Sequence, residues 1–430
     1  MEPLIKQENY GFNELHLDVL KLDKLTKKYH TASITKKANS AGMITPLHLA
    51  CINPNKSVLS TLLEQNNDIN VMDQQNYKPI HYAAACSEPG PMEVLLEKSA
   101  NLFDFTNQKE TALHIAAMNG NAKLIKLILE TNVALYRFRD KKNKTAMTYA
   151  CELGEIEPIK AFLDFSTGKI KVNTGQGVSR MTPLMYAASQ GNYELAEFLL
   201  ERKARVLSKD KFKRTALIMA VRNGHTRLAS LLLQHGSEWN HADSSYNTPL
   251  HYAAGSGFIE CIDLLIKHGA EVNAQNSWKV TPITIAMLNN HLGTVKRLLQ
   301  EPTVDVNGKD DKGRTLLMMN MIDLSEPSCV NFAKYLLEKG ADPNVADVDG
   351  NTPLHRLAAY KVRVQEERYK RAETEERKSL LSMIDLLITN GAKLDILNVD
   401  SKNAFSIALD TDNIDVLHKF AESVRISQDP

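Results

Sequence analysis

The chain repeats itself about every 33 residues, and that rhythm limits its possible folds more than any other feature. Stretches of one pattern open at Thr45 (TPLHLACINP), Thr111 (TALHIAAMNG), Thr182 (TPLMYAASQG), Thr248 (TPLHYAAGSG) and Thr352 (TPLHRLAAYK). Weaker copies open at Lys78, Thr145, Thr215, Thr281, Thr315 and Asn403. Subtracting each start from the next gives steps of 33, 33, 34, 37, 33, 33, 33, 34, 37 and 51 residues. A period of this size marks a solenoid: one unit cannot bury its apolar side alone, and stacked neighbours complete the core. A 430-residue chain would otherwise suggest two or three globular domains.

The period from Asp243 to Gln275 shows why each copy should fold as a helix pair. Asp243 to Asn247 is rich in turn formers and reads as a projecting hairpin. Thr248 is placed to cap a helix by accepting an orphan N–H, and Pro249 suits the first helical position. Leu250, Ala253 and Ala254 share one face of a short inner helix that Gly257 ends. An outer helix from Phe258 to Lys267 places Ile259, Ile262, Leu265 and Ile266 at helical spacing. Gly269 then supplies a left-handed cap.

The eleven copies, their period and the TPLHxAA core resemble the ankyrin-repeat family over roughly residues 12–426. The resemblance implies an all-α solenoid of helix pairs joined by projecting β-hairpin loops. It also implies a protein-binding module that uses its hairpin tips and concave inner-helix face. Residues 1–40, including LHLDVLKLDKLTKKYH, are expected to form a degenerate N-terminal cap, residues 41–402 the array, and residues 403–430 a capping repeat and tail. Lys419 and Glu422 suit an exposed outer face in that last repeat, because terminal repeats are expected to be polar.

Three steps break the rhythm. Four extra residues lie near Gly168–Ser179 and lengthen one hairpin; four more lie near Asp323–Ser328, between the helices of one repeat. The largest insertion, 51 minus 33 or 18 residues, falls around Lys361–Lys378. Its mixed charges at three- and four-residue spacings predict a solvated helical extension.

Searching for chemistry yields little. GxxxxGK[ST], GxSxG and HExxH are absent. The GQG of residues 175–177 is too short for a dinucleotide fingerprint. DVDGN at 347–351 resembles part of a calcium loop, but alignment on Gly350 puts Val345 and Arg356 at the first and twelfth ligand positions. His48 and Cys51 have no second pair to complete a metal site. Histidine recurs at one repeat position in His48, His81, His114, His251 and His355, so each lies a repeat away from the next. The expected role of His251 is a hydrogen bond across the hairpin to the next repeat. No catalytic, cofactor or metal residue is therefore assigned, and the chain is read as a non-enzyme.

No run of 18 apolar residues occurs, and MEPLIKQENY lacks the h-region of a signal peptide. Five cysteines scattered singly through the repeats fit free thiols in a reducing compartment. The expectation is an intracellular, cytoplasmic protein, as a monomer or a subunit of a hetero-complex.

The net charge of +1 hides an asymmetry. From Arg137 to Arg214 sixteen Lys or Arg face nine Asp or Glu; from Glu301 to Gly350 the count is five against ten. Many positives sit in hairpins, among them Lys142, Lys144, Arg180, Lys211, Lys213 and Arg214, and aligned hairpins would merge them into a basic stripe. Such a stripe would attract an acidic or phosphorylated protein, and more remotely a nucleic acid. Phe212, Tyr246 and Trp278 stand in hairpins too. Exposed aromatics are enriched at binding hot spots, yet each ring could equally pack on its neighbour. Trp239 matches Val272 of the next repeat and is expected in the core. The leading reading is an adaptor or scaffold; the alternative is a regulatory or targeting subunit of an enzyme complex or cytoskeletal assembly.

Overall fold

In the computed structural model, the described residues are 43–64, 68–165, 170–326, 328–361 and 370–426. The expected N-terminal cap at 1–40 lies outside them. Inner helices begin at Pro46, Pro79, Ala112, Ala146, Pro183, Ala216, Pro249, Pro282, Leu316, Pro353 and Ala404. Each start falls one residue after the position read from the sequence. Every inner helix is followed by an outer one, as in Pro249–Ser256 and Ile259–Lys267. Among the described residues the structure is helical, without strands. The loops are tight turns, and only Gln176 and Met181 pair as an isolated antiparallel bridge.

Packing follows from the small residues. Leu250, Ala253 and Ala254 are buried, as are Cys261, Ile262 and Leu265 of the outer helix, while Ile259 is partly exposed. Each buried Leu or Ile contributes roughly 2 kcal/mol of transfer free energy. Inner helices pack on inner helices and outer on outer, as Pro249–Ser256 does on Pro282–Leu288 and Ala122–Thr131 on Ile156–Phe165. Close approach needs glycine at Gly224, which has φ +77 and where a Cβ would fall 2.7 Å from the Phe258 ring.

The chain divides into two compact units, residues 1–216 and 217–430. In the first, the lengthened loop near 168–179 is described from residue 170 onward. In the second, the extra residues near Asp323 are irregular and bent up to residue 326, before the outer helix Ser328–Glu338. The 18-residue insertion feeds the outer helix Lys370–Thr389; residues 362–369 lie outside the description. That helix confirms the helical expectation for 370–378 but not full solvation. Glu376 is buried and accepts the Tyr360 hydroxyl at 2.5 Å.

The final pair, Ala404–Asp410 and Ile414–Ile426, is tied back by Lys419, which pairs with Asp385 at 2.8 Å. Its surface is less polar than expected, because Phe405, Leu409 and Ile414 are exposed.

Candidate protein-binding edge

The turn between repeats is built on one side chain. Asp243 Oδ1 accepts the N–H groups of Ser245 and Asn247, each at 2.8 Å. Asp73, Asp210, Asp310 and Asp347 do the same for the residues two and four further on. Asn276 and Asn398 replace the carboxylate with an amide oxygen in that role. The second carboxylate oxygen takes a further donor, and Asp210, Asp243, Asp310 and Asp347 are themselves buried. For Asp73 and Asp243 it is a tyrosine nine residues on, Tyr82 and Tyr252, at 2.8 and 2.7 Å. For Asp210 and Asp310 it is an arginine four residues on, and for Asp347 it is Arg356. A buried carboxylate needs such donors, since leaving it unpaired costs several kcal/mol.

The turn projects two residues, and neighbouring turns are bonded together. In the second unit Ser277 N donates to Ser245 O at 3.0 Å, Asp311 N to Trp278 O at 3.1 Å, Val348 N to Lys312 O at 3.1 Å and Val399 N to Asp349 O at 3.0 Å. In the first unit Asn107 N bonds Gln75 O, Lys141 N bonds Gln108 O and Lys211 N bonds Ser179 O. No such bond joins the Lys142 turn to the next among the described residues, where the loop is longer.

In five repeats a recurrent histidine sits below the turn and bonds a carbonyl further on. His251 Nδ1 accepts the Thr248 N–H at 3.2 Å and lies 2.9 Å from the Thr248 hydroxyl, while Nε2 donates to Val280 O at 3.0 Å in the next repeat. Where histidine is present, threonine and ring form a capping box: the threonine oxygen faces the amide three residues on, as the sequence predicts, and its hydroxyl donates to the ring. Where it is absent, as at Thr145, Thr281 and Thr315, the threonine oxygen takes the amide three residues on. Burial lowers the pKa of His48, His81, His114, His251 and His355, and of these His81 is brought down to about 4. The neutral ring, with its proton on Nε2, is the form these bonds require.

The basic residues of the sequence divide into two kinds. Lys142, Arg180, Lys211 and Lys213 are exposed at turn tips. Lys144 instead pairs with Glu152 at 2.7 Å and lies 4.9 Å from the Tyr149 ring centroid. Arg214 grips buried Asp210 through Nε at 2.9 Å and Nη2 at 2.7 Å, and its guanidinium lies over Phe212. Both hold the turn together and are not free for a partner. The stripe is thus thinner than its composition suggests. Two short basic stretches remain, around Lys141–Lys142 and around Arg180–Lys211.

Phe212, Tyr246 and Trp278 are 45%, 65% and 52% exposed. Phe212 is partly covered by Lys211 and Arg214; Tyr246 and Trp278 stand on two bonded turns. Trp239, expected in the core, is 40% exposed, with its indole nitrogen near Gly269. Its counterparts Val206, Val272 and Val306 are buried, and an indole is too large for the space a valine fills. The sequence reading missed the Asp–Tyr and Asp–Arg pairs, although a residue five before the cap and another four or nine after it recur legibly.

On the inner-helix side of the second unit, a groove of about 740 Å³ is lined by Met321, Ile322, Asp349, Tyr360, Asp400 and Ile407. Among the described residues, no group of three or more His, Cys, Asp or Glu is placed to hold a metal, and no helix is long and apolar enough to cross a membrane. The five cysteines are buried, and burial raises their thiols above the ordinary range, which makes them poor nucleophiles.

Overlapping matches to a family model described as ankyrin repeats (3 copies) run from residue 22 to residue 347. The helix pairs opening at Pro353 and Ala404 lie beyond these matches yet repeat the same geometry. The chain is 32% identical over 440 aligned residues to a Caenorhabditis elegans protein named poly [ADP-ribose] polymerase tankyrase; the match covers 96% of this chain and 19% of that protein. It is also 46% identical over 55 residues to a putative ankyrin repeat protein of Rickettsia felis, covering 13% of this chain and 24% of that one.

Proposed function

The chain belongs to the ankyrin-repeat family, and on that premise we propose that it is a non-enzymatic adaptor or scaffold that holds a protein partner on its turn tips. What supports this reading is the backbone bonding of neighbouring turns, reinforced by side-chain bonds such as Asn276 Nδ2 to Asn247 Oδ1 and Asn398 Nδ2 to Asn351 Oδ1. Side chains at the tips are left exposed on a support that is already ordered, so binding incurs little ordering entropy. In the first unit the tips Lys142, Arg180 and Lys211 favour an acidic or phosphorylated segment, whose association should weaken with salt. The test is the triple variant Lys142→Glu, Arg180→Glu, Lys211→Glu, compared with the parent in affinity capture from extract, with quantitative mass spectrometry and circular dichroism. Acidic proteins should be lost selectively while helicity stays unchanged. An identical set of captured proteins would overturn the basic-tip reading.

A second reading, a targeting or regulatory segment of an enzyme assembly, is favoured by the named relative: it is called a polymerase, and only 19% of it is matched. Recurrent capture of one enzyme at fixed stoichiometry would favour this reading over a general scaffold.

A further inference from the structure

The second unit carries a tip row of different chemistry from the first. Tyr246 and Trp278 are joined in exposure by Val348 and Val399, 63% and 74% exposed, at the tips of the fourth and fifth turns. Between them the third turn presents Asp311 and Lys312. All five turns are bonded in succession, so these side chains form one ordered row. The last two turns also bear Asp349 and Asp400, with Lys402 of the fifth turn paired to Asp410, whereas Lys279 stands beside Trp278. Apolar side chains exposed at 50% or more in a single row are unusual for a surface with no partner.

We propose that this row docks one amphipathic helix of a partner protein, with basic residues at the end that meets Asp349 and Asp400. The assignment rests on the reading of the tips as a binding edge and names the partner's chemistry. Stacked helices repeat at roughly 10 Å, which is the spacing the tips inherit. An α-helix returns the same face after seven residues, about 10.5 Å along its axis, so heptad-spaced apolar residues meet successive tips. An extended strand covers the distance in about three residues, but its side chains alternate faces, so successive contacts point away. The charge pattern sets the direction: lysines or arginines of the helix lie against Asp349 and Asp400, and a polar residue lies opposite Asp311 and Lys312.

The probe is a fluorescein-labelled 30-residue model helix with heptad leucines, a polar middle heptad and lysines in one terminal turn. Its controls are a scrambled peptide of the same composition and a version broken by two prolines. Anisotropy should show binding to the full chain at least tenfold tighter than either control. The variant Tyr246→Ser, Trp278→Ser, Val348→Ser, Val399→Ser should lose at least tenfold, with circular dichroism unchanged. Asp349→Asn with Asp400→Asn should lose threefold or more, along with most of the salt dependence. The triple reversal at Lys142, Arg180 and Lys211 should leave the affinity as it was, which separates this proposal from the reading of the first unit. Equal binding of the scrambled peptide, or undiminished binding by the four-serine variant, would overturn the docking row. Equal binding of the proline-broken peptide would overturn the helix.

Discussion

His81 illustrates how much a single side chain decides. Its ring bonds Asp104 O at 3.1 Å and accepts the Lys78 N–H at 3.0 Å, beside a Lys78–Asp104 ion pair. Burial is the largest influence and lowers its pKa to about 4, against about 6.5 in the unfolded chain. The unfolded state then binds the proton first as pH falls. The stability from this group is complete above about 6.5 and is lost progressively down to about 4. Melting temperature should fall between pH 6.5 and 5, before most carboxylates titrate, and the slope should be shallower in His81→Gln. An unchanged slope would mean the ring is not held neutral. Arg214 and Lys211 give a second residue-scale contrast, since only Arg214 neutralises a buried carboxylate. Arg214→Ala should destabilise by about 2–3 kcal/mol, and Lys211→Ala by no more than about 0.5 kcal/mol, read by urea denaturation.

At the scale of the element, the turn and its two helices act as one unit because Asp243 satisfies three donors at once. Asp243→Ala should lower stability by about 2–3 kcal/mol, as two part-buried amides and the Tyr252 hydroxyl lose their acceptor. Asp243→Asn should cost about 1 kcal/mol or less, because Asn276 and Asn398 already perform the same task in their own turns. Equal losses in the two variants, measured in chemical denaturation, would remove the turn from the argument. The helix pairs were legible in the sequence because capping threonine, first-turn proline and small inner residues recur at fixed offsets, and the start of every inner helix was found from them. The partners of Lys144 and Arg214 were not, because an eight-residue or four-residue contact around a turn depends on where the loop folds back. Trp239 was misread for a related reason: periodicity places a position on a face but does not weigh the volume that the face can accept.

At the scale of the whole molecule, each unit is stabilised by contacts between neighbouring repeats rather than by a centre. No described cluster of ligands supports a metal, so chelation with EDTA should leave the melting temperature unchanged, and elemental analysis should find no stoichiometric zinc or calcium. A tightly held metal, or a fall in melting temperature on chelation, would contradict this. The backbone bonds between turns have a consequence of another kind. In the second unit they space five successive tips largely through main-chain atoms, so many of the letters at those tips can change while the spacing that the backbone sets is kept. Recognition can then be rewritten one loop at a time, by inheritance or by design, while the reading frame of the edge stays constant.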